Sequence, residues 1–295
     1  MKILVTNKIP FWDEVVEPIK NDVVLGKLED LDETYDGLLC LLTDKVTKTV
    51  LEKATKLKII ANYAVGFDNI DVDYCKSRNI IVTNTPCDEV NEAVAEFTWT
   101  LILALSRKLE PAADFAKNVG YKGWQPDIFV GTDLKGKTLG VIGAGRIGSI
   151  VAAKAEAFGM KVNTHSRTSN IKLEDVILNS DVVSLHVPLT PETRHMINGK
   201  TVFKPGAVLI NTARGPVVDE AGLLELLQAG SLTGAALDVW ENEPNPRPEL
   251  VEMPNVILTP HIASATKSAR LAMGKLAVAN LLAVFSGKPP VTAVK

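Results

Sequence analysis

Short apolar runs rich in β-forming residues recur along almost the whole chain, and polar–apolar stretches of helical period separate most of them. This alternation is typical of parallel sheets covered by helices, because each parallel connection crosses back over its sheet. The predicted strands are Lys2–Val5, Leu38–Leu42, Leu57–Ala61, Ile80–Thr83, Thr138–Gly143, Lys161–Thr164, Asp181–His186, Ala207–Asn211, Ala235–Asp238 and Val256–Leu258. The sequence therefore predicts an α/β fold.

One stretch, Val119–Gly136, breaks the alternation with glycines, a proline and aromatic residues, and it separates four predicted strands from six. We expect two Rossmann-like or flavodoxin-like domains with parallel sheets flanking a central cleft. The first takes residues 1–95 and 265–295, because a final helix predicted from about Ser264 to Gly287 returns to it. The second takes residues 96–264.

Charge and composition exclude several classes of protein. The 32 Lys and Arg against 35 Asp and Glu give a net charge of −3, and no like-charge block is long enough to bind a row of phosphates. The densest apolar run, Phe97–Leu105, is about half of a bilayer span. The three cysteines, Cys40, Cys75 and Cys87, lie far apart and predict reduced thiols without a disulfide framework or zinc site. We expect a cytoplasmic protein without nucleic-acid or membrane partners.

A glycine motif, G-x-G-x-x-G, follows the predicted strand at 138 directly and precedes a helical stretch. Only glycine permits the tight turn at Gly143, the close approach of a pyrophosphate at Gly145 and the close helix–strand packing at Gly148. The N–H groups at the start of the helix would face the anion. In this strand–turn–helix context the motif predicts a dinucleotide site. The second domain, residues 96–264, is therefore the expected NAD(P)-binding domain, and the first, residues 1–95 and 265–295, is expected to bind substrate.

The end of the next predicted strand indicates which dinucleotide binds. An acidic residue there would hold the ribose hydroxyls of NAD, but none occurs between Glu156 and Glu174. Arg167 can instead pair with a 2′-phosphate, beside the hydroxyls of Ser166 and Thr168. We therefore expect NADP(H) to be preferred and NAD(H) to be possible; the alternative is a solvated arginine in an NAD enzyme.

Three ionisable side chains stand at or just beyond the ends of predicted strands. Arg214 lies in N-T-A-R-G, Glu243 in D-V-W-E-N-E-P and His261 in T-P-H-I-A-S. In an open parallel sheet the carboxyl ends of the strands line the crevice where ligands bind. We expect these three side chains to converge.

These motifs, in this order and spacing, make the chain resemble the D-isomer-specific 2-hydroxyacid dehydrogenase family, and most of all its glyoxylate and hydroxypyruvate reductases. The resemblance runs from Ala61–Asp71 to the final helix. It implies that His261 is the acid/base, Glu243 its carboxylate partner and Arg214 the substrate clamp. Imidazole suits a proton transfer near neutrality, and a guanidinium fork suits a 2-oxo acid. No metal is expected.

The resemblance also assigns binding positions. The backbone N–H groups of Val65 and Gly66 would bind the substrate carboxylate, as anion-binding backbone nests do. Thr98 would lie near the pyrophosphate and Asp238 near the nicotinamide carboxamide, although each could instead bond its own backbone or form a turn. The remaining expected cofactor contacts are Arg146, Ile147, Val187, Pro188, Thr193, Thr212, Ala213, Ala263 and His261 itself. Trp124, in a loop W-x-P, would reach the pocket of a partner subunit, which predicts a homodimer; the alternative is a Trp that covers its own core or only an interface.

The expected reaction is reduction of glyoxylate or hydroxypyruvate to glycolate or D-glycerate. The alternatives are a D-lactate-type or phosphoglycerate dehydrogenase and, in a different class, a nucleotide-sensing binding protein like the family's corepressors. Two segments are shorter than the family's usual length. Asn21–Asp36 predicts a short or absent outer strand. The dozen or so residues after Thr168 leave no room for the usual extra strand and helix, which predicts a shallower adenosine site.

Overall fold

The computed structural model describes residues 1–117 and 121–294, which divide into two compact units. Unit 1 comprises Met1–Val90 and Ala265–Lys295, and unit 2 comprises Asn91–Ser264. Each unit is built on one parallel sheet, so the predicted α/β class is confirmed. The binding roles of the two units stay predictions.

Unit 1 contains a parallel sheet with the order β2-β1-β3-β4-β5. Its strands are nearly continuous apolar runs, as expected for strands that are covered on both faces. Ile3, Leu4, Leu38, Ile59 and Ile60 are fully buried. The strands are β1 (Ile3–Val5), β2 (Val23–Leu25), β3 (Gly37–Leu41), β4 (Ile59–Tyr63) and β5 (Ile81–Thr83).

The helices of unit 1 include short ones and one long one. The described short helices are α1 (Trp12–Val16), α2 (Lys48–Leu51) and α3 (Val72–Ser77). A long helix, Lys267–Phe285, begins at Thr266, whose hydroxyl accepts a hydrogen bond from the N–H of Ala269. This long helix is α10 in chain order, and it packs against β4, where the hydroxyl of Tyr63 donates to the carbonyl of Arg270 at 2.8 Å.

Among the described residues α10 is the one helix long and apolar enough to cross a membrane by length and composition. Its buried residues include Met273, Val278 and Leu281. A helix that packs on the core of a folded domain passes the same test of length and composition, so the finding is weak evidence for a membrane span.

Unit 2 contains a parallel sheet with the order β11-β10-β9-β8-β6-β7. The strand order reverses at β6, which lies between β7 and β8, and such reversals are where ligands bind in open α/β sheets. The strands are β6 (Thr138–Ile142), β7 (Lys161–His165), β8 (Val182–Leu185), β9 (Val208–Asn211), β10 (Gly234–Leu237) and β11 (Val256–Leu258).

Helices cover this second sheet. The long helix α4 (Asp88–Ser106) contributes Trp99, whose indole N–H donates to the carbonyl of Val151 at 3.1 Å while its ring stacks on Phe158. The other described helices are α5 (Leu109–Phe115), α6 (Arg146–Lys154), α7 (Leu173–Leu178), α8 (Glu220–Gln228) and α9 (Pro248–Val251). The core residues include Val183, Leu185, Leu209, Leu223 and Leu237.

The structure corrects several expectations about elements. The outer strand of unit 1, expected to be short or absent, is the short three-residue β2, so that five strands and not four precede the predicted break. The segment after Thr168 does contain a helix, because six residues are enough for α7, while β7 ends the sheet without a further strand beside it among the described residues. The final helix begins at Lys267 rather than near Ser264.

The predicted break at Val119–Gly136 lies within unit 2. Val119 and Gly120 lie outside the described residues, and residues 121–136 form neither helix nor strand. The chain leaves this loop directly into β6, which brings the glycine turn to the carboxyl edge of the sheet.

Candidate active site

The turn after β6 requires glycine at two of its three motif positions, Gly143 and Gly148. Gly143 has φ +99°, and a Cβ there would lie 2.6 Å from the carbonyl oxygen of His186. A Cβ on Gly148 would collide with the carbonyl oxygen of Gly143, whereas a Cβ on Gly145 would enter open space. Gly145 caps the N-terminus of α6, where unpaired N–H groups attract anions. The turn therefore fits a pyrophosphate at Gly145. Arg146 is exposed and Ile147 is half-buried against the core.

The adenosine side is formed by the residues that follow β7. Arg167 and Thr168 are exposed, and the hydroxyls of Ser166 and Thr168 lie 3.3 Å apart. The pKa of Glu192 is lowered, chiefly by a hydrogen bond from Thr190 and also by the charge of Arg167. The positive charge of Arg167 thus acts on Glu192 in the loop that follows β8.

That loop carries the predicted contacts Val187, Pro188 and Thr193. Val187 lies against the glycine turn, 3.0 Å from a Cβ built on Gly143. The hydroxyl of Thr193 donates to the carbonyl of Pro188 at 2.6 Å and accepts from the N–H of Thr190. The side chain of Thr193 therefore closes the loop on itself beside the turn.

Thr98 and Thr212 are brought together by α4 and the end of β9. Thr98 is fully buried, its hydroxyl donates to the carbonyl of Val94 at 2.8 Å, and its Oγ1 lies 3.0 Å from Oγ1 of Thr212. Thr98 thus bonds the backbone of its own helix, which was the alternative to a place near the pyrophosphate. Its hydroxyl also contacts that of Thr212.

The ends of β9, β10 and β11 are neighbours at the carboxyl edge of the unit 2 sheet. After β9, the buried Asn211 accepts from the N–H of Ala213 at 3.0 Å and donates to the carbonyl of Arg214 at 2.9 Å. This turn holds the half-buried Arg214, whose Nη1 donates to the carbonyl of Ala213 at 2.7 Å. The hydrogen bonds of Asn211 therefore hold the backbone segment that carries the guanidinium of Arg214.

Gly215 allows the loops after β9 and β10 to touch. A Cβ at this buried position would overlap the carbonyl of Trp240. Sequence reasoning missed this role, although the glycine next to Arg214 in the N-T-A-R-G motif was a visible signal. The absence of a side chain here brings the segment that carries Glu243 against the segment that carries Arg214.

His261 and Glu243 form the pair that the motifs predicted. Nδ1 of His261 lies 2.9 Å from Oε2 of Glu243, and the two side chains are 27% and 30% exposed. Oε1 of Glu243 accepts from the N–H of Trp240 at 3.3 Å. A carboxylate at Nδ1 orients the ring and leaves Nε2 for a substrate. The side chains are partly exposed, so a small molecule can reach them.

The backbone of His261 is left-handed, with φ +55°, which is uncommon for a residue other than glycine. Its N–H donates to the carbonyl of Asp238 at 2.9 Å. The buried carboxylate of Asp238 accepts from the N–H groups of Ile262 and Ala263 and from the hydroxyl of Thr259. Burial raises the pKa of Asp238, while these hydrogen bonds oppose the shift. Asp238 thus holds the turn that carries His261. The sequence indicated only that Asp238 could form a turn.

The other three histidines are engaged elsewhere. Burial lowers the pKa of His186 to about 4, so its ring is neutral at neutral pH. Nδ1 of His165 lies 2.8 Å from the carbonyl of Ile171. His195 is 42% exposed and its Nε2 lies 2.6 Å from Oε1 of Glu241. His261 is the histidine at the carboxyl ends of β9, β10 and β11 with a carboxylate on one nitrogen.

In unit 1 the loop after β4 carries Val65 and Gly66. Their backbone N–H groups donate no hydrogen bond to another protein group in the part of the chain that the structure describes. Their carbonyls are held by amides: Asn84 donates to Val65 at 2.6 Å and Asn62 donates to Gly66 at 2.9 Å. The loop can therefore offer two N–H groups to an anion.

The family model of D-isomer specific 2-hydroxyacid dehydrogenase, NAD binding domain, matches residues 99–263. The chain is 44% identical to a glyoxylate reductase of Thermococcus litoralis over 96% of this chain and 89% of that protein. The chain belongs to the D-isomer specific 2-hydroxyacid dehydrogenase family. This dehydrogenase is an oxidoreductase that uses a nicotinamide cofactor, in agreement with the resemblance seen in its motifs.

Solved structures of family members have the same fold as this dehydrogenase. An NADPH-dependent glyoxylate/hydroxypyruvate reductase from Sinorhizobium meliloti has a TM-score of 0.87 at 34% identity, covering 99% of this chain and 97% of that chain. A D-lactate dehydrogenase from Aquifex aeolicus has a TM-score of 0.86 at 34% identity, covering 97% and 96%. The fold is therefore common to members with different substrates, and the substrate has to be argued from the site.

Proposed function

We propose that this dehydrogenase works as a glyoxylate and hydroxypyruvate reductase. The observation that carries the proposal is the His261–Glu243 pair at 2.9 Å, at strand ends next to the one that bears Arg214. The 44% identity to a glyoxylate reductase supports a small 2-oxo acid as substrate.

When bound, the nicotinamide cofactor supplies the hydride, and the protein's residues bind the substrate and provide the proton. His261 donates that proton from Nε2 to the carbonyl oxygen, because Nδ1 faces Glu243. Glu243 keeps the ring oriented and stabilises its charged form. Arg214 binds the oxo acid through its planar fork and polarises the carbonyl.

In unit 1, the N–H groups of Val65 and Gly66 bind the substrate carboxylate in this proposal. Backbone nests bind anions without placing a charged side chain next to them. In the part of the chain that the structure describes, Oδ2 of Asp238 accepts from one N–H, that of Ala263, and in this proposal it also accepts from the carboxamide of the cofactor.

The test is the oxidation of NADPH and of NADH, followed at 340 nm, with glyoxylate, hydroxypyruvate, pyruvate and phosphohydroxypyruvate. Rapid turnover of the first two is the expected result. Activity confined to pyruvate would favour a D-lactate-type enzyme, and activity confined to the phosphorylated acid would favour a phosphoglycerate dehydrogenase. Tight cofactor binding without any turnover would replace the proposal by a nucleotide-sensing protein.

We also propose that NADP(H) is preferred. Arg167 is exposed at the end of β7, flanked by two hydroxyls and without an acidic residue in the turn. The replacement of Arg167 by Ala is expected to raise KM for NADPH about 10- to 100-fold, because a charge-assisted hydrogen bond to the 2′-phosphate is lost. KM for NADH is expected to change less than about twofold. Initial rates with both cofactors measure this.

The matched control is Arg107→Ala, which removes an exposed arginine of unit 2 that follows α4. It is expected to leave both KM values unchanged. Equal losses for NADPH and NADH in the Arg167 variant would reject the phosphate assignment and leave an enzyme that uses NAD(H).

We propose a homodimer built on unit 2. Trp124 is 80% exposed, and Leu109, Tyr121 and Val130 are exposed in α5 and in the loop that follows it. Exposed aromatic and aliphatic groups of this kind mark interaction surfaces. Light scattering is expected to give about twice the chain mass, and Trp124→Ser to lower it, whereas Val202→Ser, at another exposed apolar position, leaves it unchanged. A monomeric wild-type protein would exclude the dimer.

We propose a cytoplasmic location on the chemistry of the cysteines. Cys40, Cys75 and Cys87 are free, and burial raises the pKa of the Cys75 thiol to about 11, so that this thiol stays protonated. Free thiols of this kind suit a reducing compartment. Cell fractionation followed by immunoblotting tests the location, and recovery outside the cytoplasm would refute it.

A further inference from the structure

The two N–H groups proposed to bind the substrate carboxylate belong to peptide units whose carbonyls are both hydrogen-bonded. The N–H of Val65 shares its peptide with the carbonyl of Ala64, which accepts from the N–H of Thr85 at 2.8 Å. The N–H of Gly66 shares its peptide with the carbonyl of Val65, which accepts from the side-chain amide of Asn84 at 2.6 Å. Asn84 and Thr85, directly after β5, therefore fix the planes of both peptides.

A hydrogen bond to a carbonyl does more than fix the plane of the peptide. It polarises the amide, so that the N–H at the other end becomes a better donor. The Asn84 bond is a side-chain bond and can be removed by substitution, whereas the Thr85 bond comes from the backbone. Asn84 is therefore the residue through which the anion-binding ability of Gly66 can be changed without altering Gly66.

Asn84 is itself anchored by residues near 292. Its carbonyl accepts from the hydroxyl of Thr292 at 2.6 Å, and its N–H lies 3.4 Å from the carbonyl of Thr292. Thr292 is held in turn by Asn280 of α10, which is fully buried and exchanges two hydrogen bonds with it, at 2.8 and 3.0 Å. The segment after α10 thus reaches back to the strand end that carries Asn84.

We propose that Asn84 is a positioning residue for the substrate carboxylate and that Thr292 holds Asn84 in place. The inference rests on the proposed function, since it takes the Val65 and Gly66 N–H groups as the carboxylate site. Asn84 acts through the peptide between Val65 and Gly66 and touches neither the cofactor nor the reacting carbonyl in this proposal.

The experiment compares Asn84→Ala with wild type in glyoxylate reduction. One neutral hydrogen bond is removed, so KM for glyoxylate is expected to rise about 5- to 10-fold. Because the carboxylate is bound equally in ground state and transition state, kcat is expected to stay within about twofold. The affinity for NADPH, measured by fluorescence titration without substrate, is expected to be unchanged.

The control is Asn255→Ala, since Asn255 also donates its amide to a backbone carbonyl, that of Thr233, at 3.1 Å in unit 2. It is expected to leave KM for glyoxylate unchanged. Thr292→Val, which removes the anchor of Asn84, is expected to raise the same KM about 2- to 5-fold. Thermal unfolding of each variant shows which of them are folded.

The isosteric variant Asn84→Asp separates hydrogen-bond donation from packing. Aspartate keeps the size of the side chain but cannot donate to Val65, and its charge repels a substrate carboxylate, so KM is expected to rise about 30-fold or more. An Asn84→Asp enzyme with wild-type KM would overturn the proposal.

The failure of this inference and the failure of the proposed function are distinguishable. Wild-type turnover of glyoxylate together with Asn84 variants that behave like Asn255→Ala removes the role of Asn84 and leaves the function intact. A wild-type protein that turns over no 2-oxo acid overturns the function, and the role of Asn84 falls with it.

Discussion

Replacement of His261 by alanine is expected to lower kcat for glyoxylate reduction by about 10²- to 10⁴-fold, the usual contribution of a positioned acid/base. The Nδ1 of this imidazole is bonded to the carboxylate of Glu243, which leaves Nε2 for the proposed proton transfer. The affinity for NADPH should change far less, because the proposed pyrophosphate site is the glycine turn, which does not include the imidazole. Steady-state rates and a fluorescence titration measure the two quantities.

The matched control for His261 is His195→Ala. His195 also pairs with a carboxylate, Oε1 of Glu241 at 2.6 Å, and also has a left-handed backbone, with φ +53°. Loss of its imidazole is expected to change kcat less than about threefold, since the pair does not take part in the proposed proton transfer. Comparable losses in both variants would indicate a structural effect rather than proton donation by His261.

Replacement of Arg214 by alanine is expected to lower kcat/KM for glyoxylate by about 30- to 3,000-fold, the range for removing one partner of a desolvated charge pair. Arg214→Lys keeps the charge but loses the two-pronged fork, so an intermediate loss is expected. KM for NADPH should be similar in all three enzymes. Unfolding midpoints are measured for the same variants, because Arg214 also donates to the carbonyl of Ala213 and its loss can lower stability.

A wild-type kcat/KM in Arg214→Ala would exclude the substrate clamp. A loss in Arg214→Lys as large as that in Arg214→Ala would show that the fork, rather than the charge, recognises the oxo acid. A lysine variant close to wild type would show that charge alone is sufficient.

Much of the fold could be predicted because each buried parallel strand is a short apolar run that is visible in the local sequence. Each of the ten predicted strands has an observed counterpart, within about two residues at either end. β2 was not among them because Val23–Leu25 at the sheet edge is partly exposed, which gives a weak apolar signal. α7 was not predicted because the segment after Thr168 is shorter than the corresponding segment of the family, although six residues are enough for a helix.

The sequence by itself determined the α/β class, the dinucleotide turn and the identity of the ionisable side chains at the strand ends, because these depend on local periodicity and on short motifs. Tertiary structure decided how those side chains are held. Asp238 holds the His261 turn, Gly215 lets the Trp240 segment approach, and Asn84 orients the peptide between Val65 and Gly66. These contacts join residues that are about 20 positions or more apart, and a local pattern does not specify which distant donor meets which acceptor until the sheet sets the strand order.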